Sequence, residues 1–100
     1  MIAALLLTLA IPEAPAMPAR DRIEKIMAAS DGKTEATAYR VRSVADEYEI
    51  LRRLGLRPSE QSLVTKGNKA YDVLNAVNPA GEKVELWFDI TSFFGREFGF

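Results

Sequence analysis

Reactive side chains are scarce in this sequence, and their scarcity narrows the chemistry. The 100 residues contain no His and no Cys, which removes histidine-based triads, thiol nucleophiles and ordinary zinc sites. Gly67 and Gly81 stand alone as turn residues, so there is no glycine-rich phosphate loop. Carboxylate pairs are what remains for general acid–base work. Asp72 and Asp89 are the pair best placed, on neighbouring strands and, by the register given below, on one face two rows apart. Directly opposed residues in a sheet sit about 5 Å apart and diagonal ones about 7–8 Å, so both carboxylates could address one ligand. Charged residues at outward strand positions are solvated by default, and Lys66 and Lys69 stand close by. The expectation is therefore a protein that is not an enzyme and uses no cofactor or metal.

A second candidate is apolar. Trp87 takes an outward position on the best strand of the chain, with Leu63 and Leu74 expected beside it. A large aromatic in a small apolar patch with polar edges suits a partner-binding or flat ligand site. Leu63, Leu74, Trp87, Asp72 and Asp89 are thus the candidate binding residues. A purely structural role competes with this one: Ile23, Ile26 and Met27 of a first helix could cover the patch, or Phe93, Phe94, Phe98 and Phe100 of the C-terminal tail. Arg52, Arg53 and Arg57 could grip a phosphate or carboxylate, although arginines at a helix C-terminus ordinarily complement the dipole.

The elements that must position these residues follow from periodicity. Val84, Leu86, Phe88 and Ile90 alternate with Glu85, Trp87 and Asp89, the pattern of a strand with one face on a core. Gly67-Asn68 suits a two-residue hairpin loop between Gln61–Lys66 and Lys69–Val77. Asn78-Pro79-Ala80-Gly81 suits a four-residue loop on a type I turn. Closing both loops directly opposes Val64 to Tyr71, Val77 to Glu82, Val73 to Leu86 and Tyr71 to Phe88. Tyr71, Val73, Val77, Val84, Leu86 and Phe88 then share one side, and Leu63, Asp72 and Trp87 fall in one row of the other.

Upstream, Ile23, Ile26 and Met27 mark a short helix that resumes at Ala19 or Arg20 after the prolines at 12, 15 and 18 and ends at Ser30-Asp31-Gly32. Thr37, Tyr39 and Val41 alternate within a strand expected over 36–42. The second helix carries every local signal. Ser43 caps it, Asp46 holds the capping-box position, Asp46 and Glu47 precede Arg52 and Arg53 as the dipole favours, and Gly55 and Pro58 end it. Its expected inner stripe is Val44, Tyr48, Leu51 and Leu54, widened by Ile50.

Length allows one small domain. Apolar residues make up 48% of the chain, a share raised by the uncharged run from Ile2 to Ile11. Such a run is too short to span a bilayer and matches a signal-peptide core, with Ala14-Pro15-Ala16 as a small-x-small cleavage site. No Lys or Arg precedes it, which leaves open a start further upstream, a membrane anchor or a buried helix. Residues 1–16 are read as a signal peptide and 17–100 as the domain, periplasmic or secreted, with no stable membrane span. Removing 1–16 deletes Glu13 and leaves thirteen charges of each sign. A balanced surface gives no footprint for nucleic acid or anionic membranes.

From about Lys33 to Glu97 the chain resembles small, uncharacterised secreted proteins of Gram-negative bacteria. The likeness rests on Ala38-Tyr39-Arg40-Val41, Glu47-Tyr48, Leu54-Gly55-Leu56, the Gln61-Ser62-Leu63-Val64 strand, Tyr71-Asp72 and Trp87-Phe88-Asp89-Ile90. It implies an exported single domain and assigns no activity or catalytic residue. Taken together, the expected fold is α+β: a short N-terminal helix, a strand, a capped helix, then a three-stranded antiparallel meander. The expected function is a non-enzymatic interaction or regulatory module with a protein partner in the cell envelope. The alternative is binding of a small molecule or envelope component between the helices and the sheet.

Overall fold

A computed structural model describes residues 18–95; the expected signal segment and the aromatics Phe98 and Phe100 lie outside them. Six elements follow in order: α1 (Pro18–Ala29), β1 (Tyr39–Arg40), α2 (Val44–Leu54), β2 (Arg57–Lys66), β3 (Lys69–Val77) and β4 (Lys83–Asp89). The fold is α+β, with two helices on one face of a mixed sheet ordered β1-β4-β3-β2. The meander is there as expected, and the early strand adds a fourth member. It is a two-residue strand rather than one spanning 36–42, and it runs parallel to β4 with Tyr39 opposite Phe88.

Helix α2 forms where its caps dictate. Ser43 is extended (φ −163°) and its hydroxyl accepts the Asp46 N–H, while Gly55 at φ 73° closes the other end. Leu56 N–H returns to Leu51 O at 2.9 Å, the long bond of a Schellman-type cap. The face it buries differs from the expected stripe. Glu47, Ile50 and Leu51 point inward, whereas Tyr48 is 46% and Leu54 41% exposed. The turn follows from Asp46, which is drawn inward by two partners outside α2. It accepts two bonds from the Arg22 guanidinium (2.6 and 3.1 Å) and one from the Arg42 N–H (2.9 Å). That pair fastens α1 to the start of α2.

The first hairpin pairs as expected, with Val64 opposite Tyr71 and Leu63 opposite Asp72. β2 also starts earlier than expected, at Arg57, with an irregularity between Pro58 and Glu60. The second hairpin is shifted by one residue. Val73 faces Trp87, Leu74 faces Leu86, and Tyr71 faces Asp89 rather than Phe88. The cause is Asn78, which belongs to the ladder's closing pair and not to the loop. Its N–H reaches Glu82 O at 3.0 Å, and its side-chain oxygen takes the N–H groups of Ala80 and Glu82. Pro79-Ala80-Gly81 is then a three-residue loop, with Gly81 at φ 85° supplying the left-handed residue such loops need.

A one-residue slip exchanges the two faces of a strand. Leu74, Ala76, Leu86, Phe88 and Ile90 therefore line the helix side, joined there by Ile23, Tyr39, Val41, Ile50, Leu51 and Phe93 in one core. Tyr71 and Val73 are buried on the opposite side, contrary to the expected grouping with Phe88. Tyr39 and Phe88 pack at 5.5 Å between ring centroids, and Phe93 supplies the core role expected of the tail. Gly32 (φ 69°) is held by both strand and ring. Its carbonyl accepts the Trp87 N–H at 2.7 Å, and a side chain there would strike the Tyr39 ring.

Candidate functional site

The five expected binding residues do not form one surface. Leu63, Asp72 and Leu74 face the helices, while Trp87 and Asp89 face the other way. Leu74 is core at 1% exposure, and Asp72 is equally buried. Asp72 Oδ2 accepts a bond from Gln61 Nε2 at 2.9 Å, and Oδ1 has no hydrogen-bond partner. Asp89 lies across the sheet from it, so this pair cannot address a common ligand. Burial pushes the Asp89 carboxyl up, but hydrogen bonds from Thr91 and the Lys69 ammonium hold it below the usual carboxylate range. Its oxygens are committed to structure, as acceptors from the Thr91 N–H and the Lys69 ammonium.

Trp87 is half-buried. Its ring meets Tyr71 edge-on at 5.7 Å, and its N–H donates to Glu85 at 3.3 Å. Of the expected cover, Ile23, Ile26, Met27, Phe93 and Phe94 pack into the core on the opposite face of the sheet. Beside Tyr71, Glu35 of the 31–38 segment pairs with Lys66 at 2.9 Å. Nor are Arg52 and Arg53, in the last turn of α2, available as an anion grip. Arg52 and Arg53 both bind Glu49, at 2.6 and 2.7 Å, and their hydrogen bonds hold its carboxyl down to about 2.

The space between helices and sheet, where a small ligand was an option, is filled by Ile50, Leu51, Leu74 and Phe88, each no more than 1% exposed. Open recesses remain at the surface. A basic one of about 420 Å³ lies between α1 and β1, lined in part by Arg22, Lys25, Arg40 and Arg42. Among the described residues no cluster of acidic side chains could hold a metal ion.

What the structure does present is an edge. Because β1 joins beyond β4, β2 ends the sheet among the described residues. Nine of its ten residues are exposed. Ala70 turns both backbone groups toward the β4 side, receiving Ile90 N–H at 2.9 Å and donating to Thr91 Oγ1 at 3.1 Å. Ala70 and its cross-strand partner Thr65 are therefore a non-hydrogen-bonded pair, and alternation makes Leu63 and Gln61 the same. Gln61, Leu63 and Thr65 aim their N–H and C=O groups outward. The stretch Gln61-Ser62-Leu63-Val64-Thr65 carries no charge and no proline, the devices that usually blunt an edge.

Apolar surface lies next to that edge on the helix side. Tyr48, Leu54 and Leu63 are the exposed large hydrophobics, Leu63 the most so at 52%. Tyr48 and Gln61 line a shallow recess over Leu74, together with Pro58, and Leu63 is the next residue along that face of β2. Of Tyr48, Leu54 and Leu63, only Leu63 carried a binding signal in the sequence. Tyr48 read as core, and nothing within β2 marks it as the last strand, since that depends on where β1 docks.

The class defined is thus a small α+β domain whose mixed sheet is backed by helices on one face and ends in a long open strand. The chain belongs to the family described as a domain of unknown function, DUF4919, whose model matches residues 16–97. No curated protein and no solved structure matches it significantly.

Proposed function

We propose that this domain is a non-enzymatic protein-interaction module that binds by strand addition at the edge of β2. The address we propose is the periplasm or the cell exterior, from the apolar run and small-residue site at the N-terminus. One observation carries the interaction reading: a ten-residue edge strand with uncharged centre and outward N–H and C=O groups at Gln61, Leu63 and Thr65. Backbone hydrogen bonds supply affinity in such complexes, and side chains at alternate positions supply selectivity. Leu63 and Tyr48 would take the selective role here, in place of the dispersed Leu63, Leu74 and Trp87 set. The non-enzymatic part rests on chemistry. The chain has no His or Cys, and Asp72 and Asp89 point away from each other.

Thr65→Pro tests this reading. It removes one outward donor and leaves the β2–β3 ladder its bonds, since proline is tolerated where an edge N–H faces solvent. Partners captured from envelope extract by the native domain are expected to be lost with Thr65→Pro and kept with Trp87→Ala. Undiminished capture by a folded Thr65→Pro variant refutes strand addition at this edge.

A further inference from the structure

The charges of β2 bear on which strand is added. Arg57, Glu60 and Lys66 are its charged residues, and only Glu60 and Lys66 flank the open centre. We propose that the added strand is β2 of a second copy of this chain, antiparallel about a two-fold axis at Leu63. The proposal rests on the strand-addition reading and names its partner.

A two-fold axis normal to the sheet keeps each side chain on its own face, so opposed residues differ by an even number of positions. Hydrogen bonding across the new seam also requires the outward residues to meet one another. Centred on Leu63, Gln61 faces Thr65 of the second copy, Ser62 faces Val64, and Leu63 faces its own equivalent. Glu60 then faces Lys66, and symmetry repeats that contact at the other end. Moving the axis to Ser62 sets Glu60 against Val64 and Lys66 against Pro58. Moving it to Val64 sets them against Asn68 and Ser62. The Leu63 axis alone opposes the two charges.

Three further features agree with that register. Glu60 and Lys66 are opposite Asn75 and Lys69 on β3, so both lie on the outer face and can meet there. Leu63, 52% exposed, is covered by its equivalent on the helix side, where Tyr48 also stands. Pro58 and the irregularity beside it end the straight part of β2 at Glu60, which limits the seam to residues 60–66. Lys66 already touches Glu35 at 2.9 Å, but their side chains are 62% and 36% exposed, and an ammonium so placed can serve two carboxylates.

Charge exchange between two variants of the full chain tests the register. Glu60→Lys opposes Lys to Lys at both ends of the seam, and Lys66→Glu opposes Glu to Glu. Sedimentation equilibrium is expected to give a dimer for the native chain and a dissociation constant roughly tenfold higher or more for each variant, since like charges directly opposed repel. An equimolar mixture of the variants is expected to recover native dimerisation as a heterodimer, which a misfolded variant could not do. A native chain that stays monomeric up to millimolar concentration overturns the second-copy proposal, as does a mixture no tighter than its components. Strand addition survives that result if Thr65→Pro still abolishes capture of a different protein, and falls with it if capture is untouched.

Discussion

Asp46 is the joint between α1 and α2, and its removal gives the sharpest stability prediction. Its side chain is 8% exposed, and the carboxylate accepts two bonds from Arg22 and one from the Arg42 N–H. Asp46→Ala strands a guanidinium whose side chain is 27% exposed, so water recovers part of what the carboxylate supplied. A fully buried pair broken on one side costs about 3–5 kcal/mol, and partial solvation of Arg22 brings the expected loss to about 2–4 kcal/mol. For a domain of this size that lowers the melting temperature by roughly 10 °C or more. Urea unfolding of Asp46→Ala, Arg22→Ala and the double variant measures it. A coupling of about 2 kcal/mol is expected, with the double variant little worse than Asp46→Ala alone. A loss below about 0.5 kcal/mol, the range of ordinary surface substitutions, or strictly additive effects would refute this joint.

Other outcomes follow from the same geometry. Burial works against the Asp46 charge, but Arg22 and Arg42 N–H keep its carboxyl below the ordinary range, as Thr91 and Lys69 do for Asp89. Both folded values lie under the unfolded ones, so their contribution is complete above about pH 4 and is lost as pH falls further. Urea midpoints should match at pH 7 and 5 and drop by pH 3; a drop already between 7 and 5 would implicate other groups. Gly32→Ala meets both a left-handed backbone and the Tyr39 ring, whereas Gly55→Ala has open space around it. The first should cost about 2–4 kcal/mol and the second about 1 kcal/mol, and equal costs would mean the ring does not matter. Asp72 is buried with one oxygen unbonded, so Asp72→Asn is expected to raise stability by about 1 kcal/mol; a loss of 1 kcal/mol or more would assign that oxygen a partner.

Local signals were the legible part of this chain. Ser43, Asp46 and Gly55 delimit α2 through bonds made within a few residues, and Gly67-Asn68 sets the first hairpin in the same way. The second hairpin departs from its expected register by one residue. Asn78 could belong to loop or ladder, and its side-chain bonds to Ala80 and Glu82 decide for the ladder. That single step sent Trp87 and Leu74 to opposite faces and dissolved the expected patch. The inward face of α2 depends on Arg22, twenty-four residues before Asp46, a distance no periodicity registers. The open edge was hidden for the same reason, because β2 is last in the sheet only once β1 has paired beyond β4.

Residue-resolved amide hydrogen exchange across β2 tests the open edge most directly. In dilute solution the Ser62 and Val64 amides, bonded to β3, should be protected while those of Gln61, Leu63 and Thr65 exchange freely. On association the second set should become protected. Uniform protection from Gln61 to Thr65 at every concentration, or no change in Leu63 and Thr65 when a complex forms, would contradict the assignment of this edge as the binding surface.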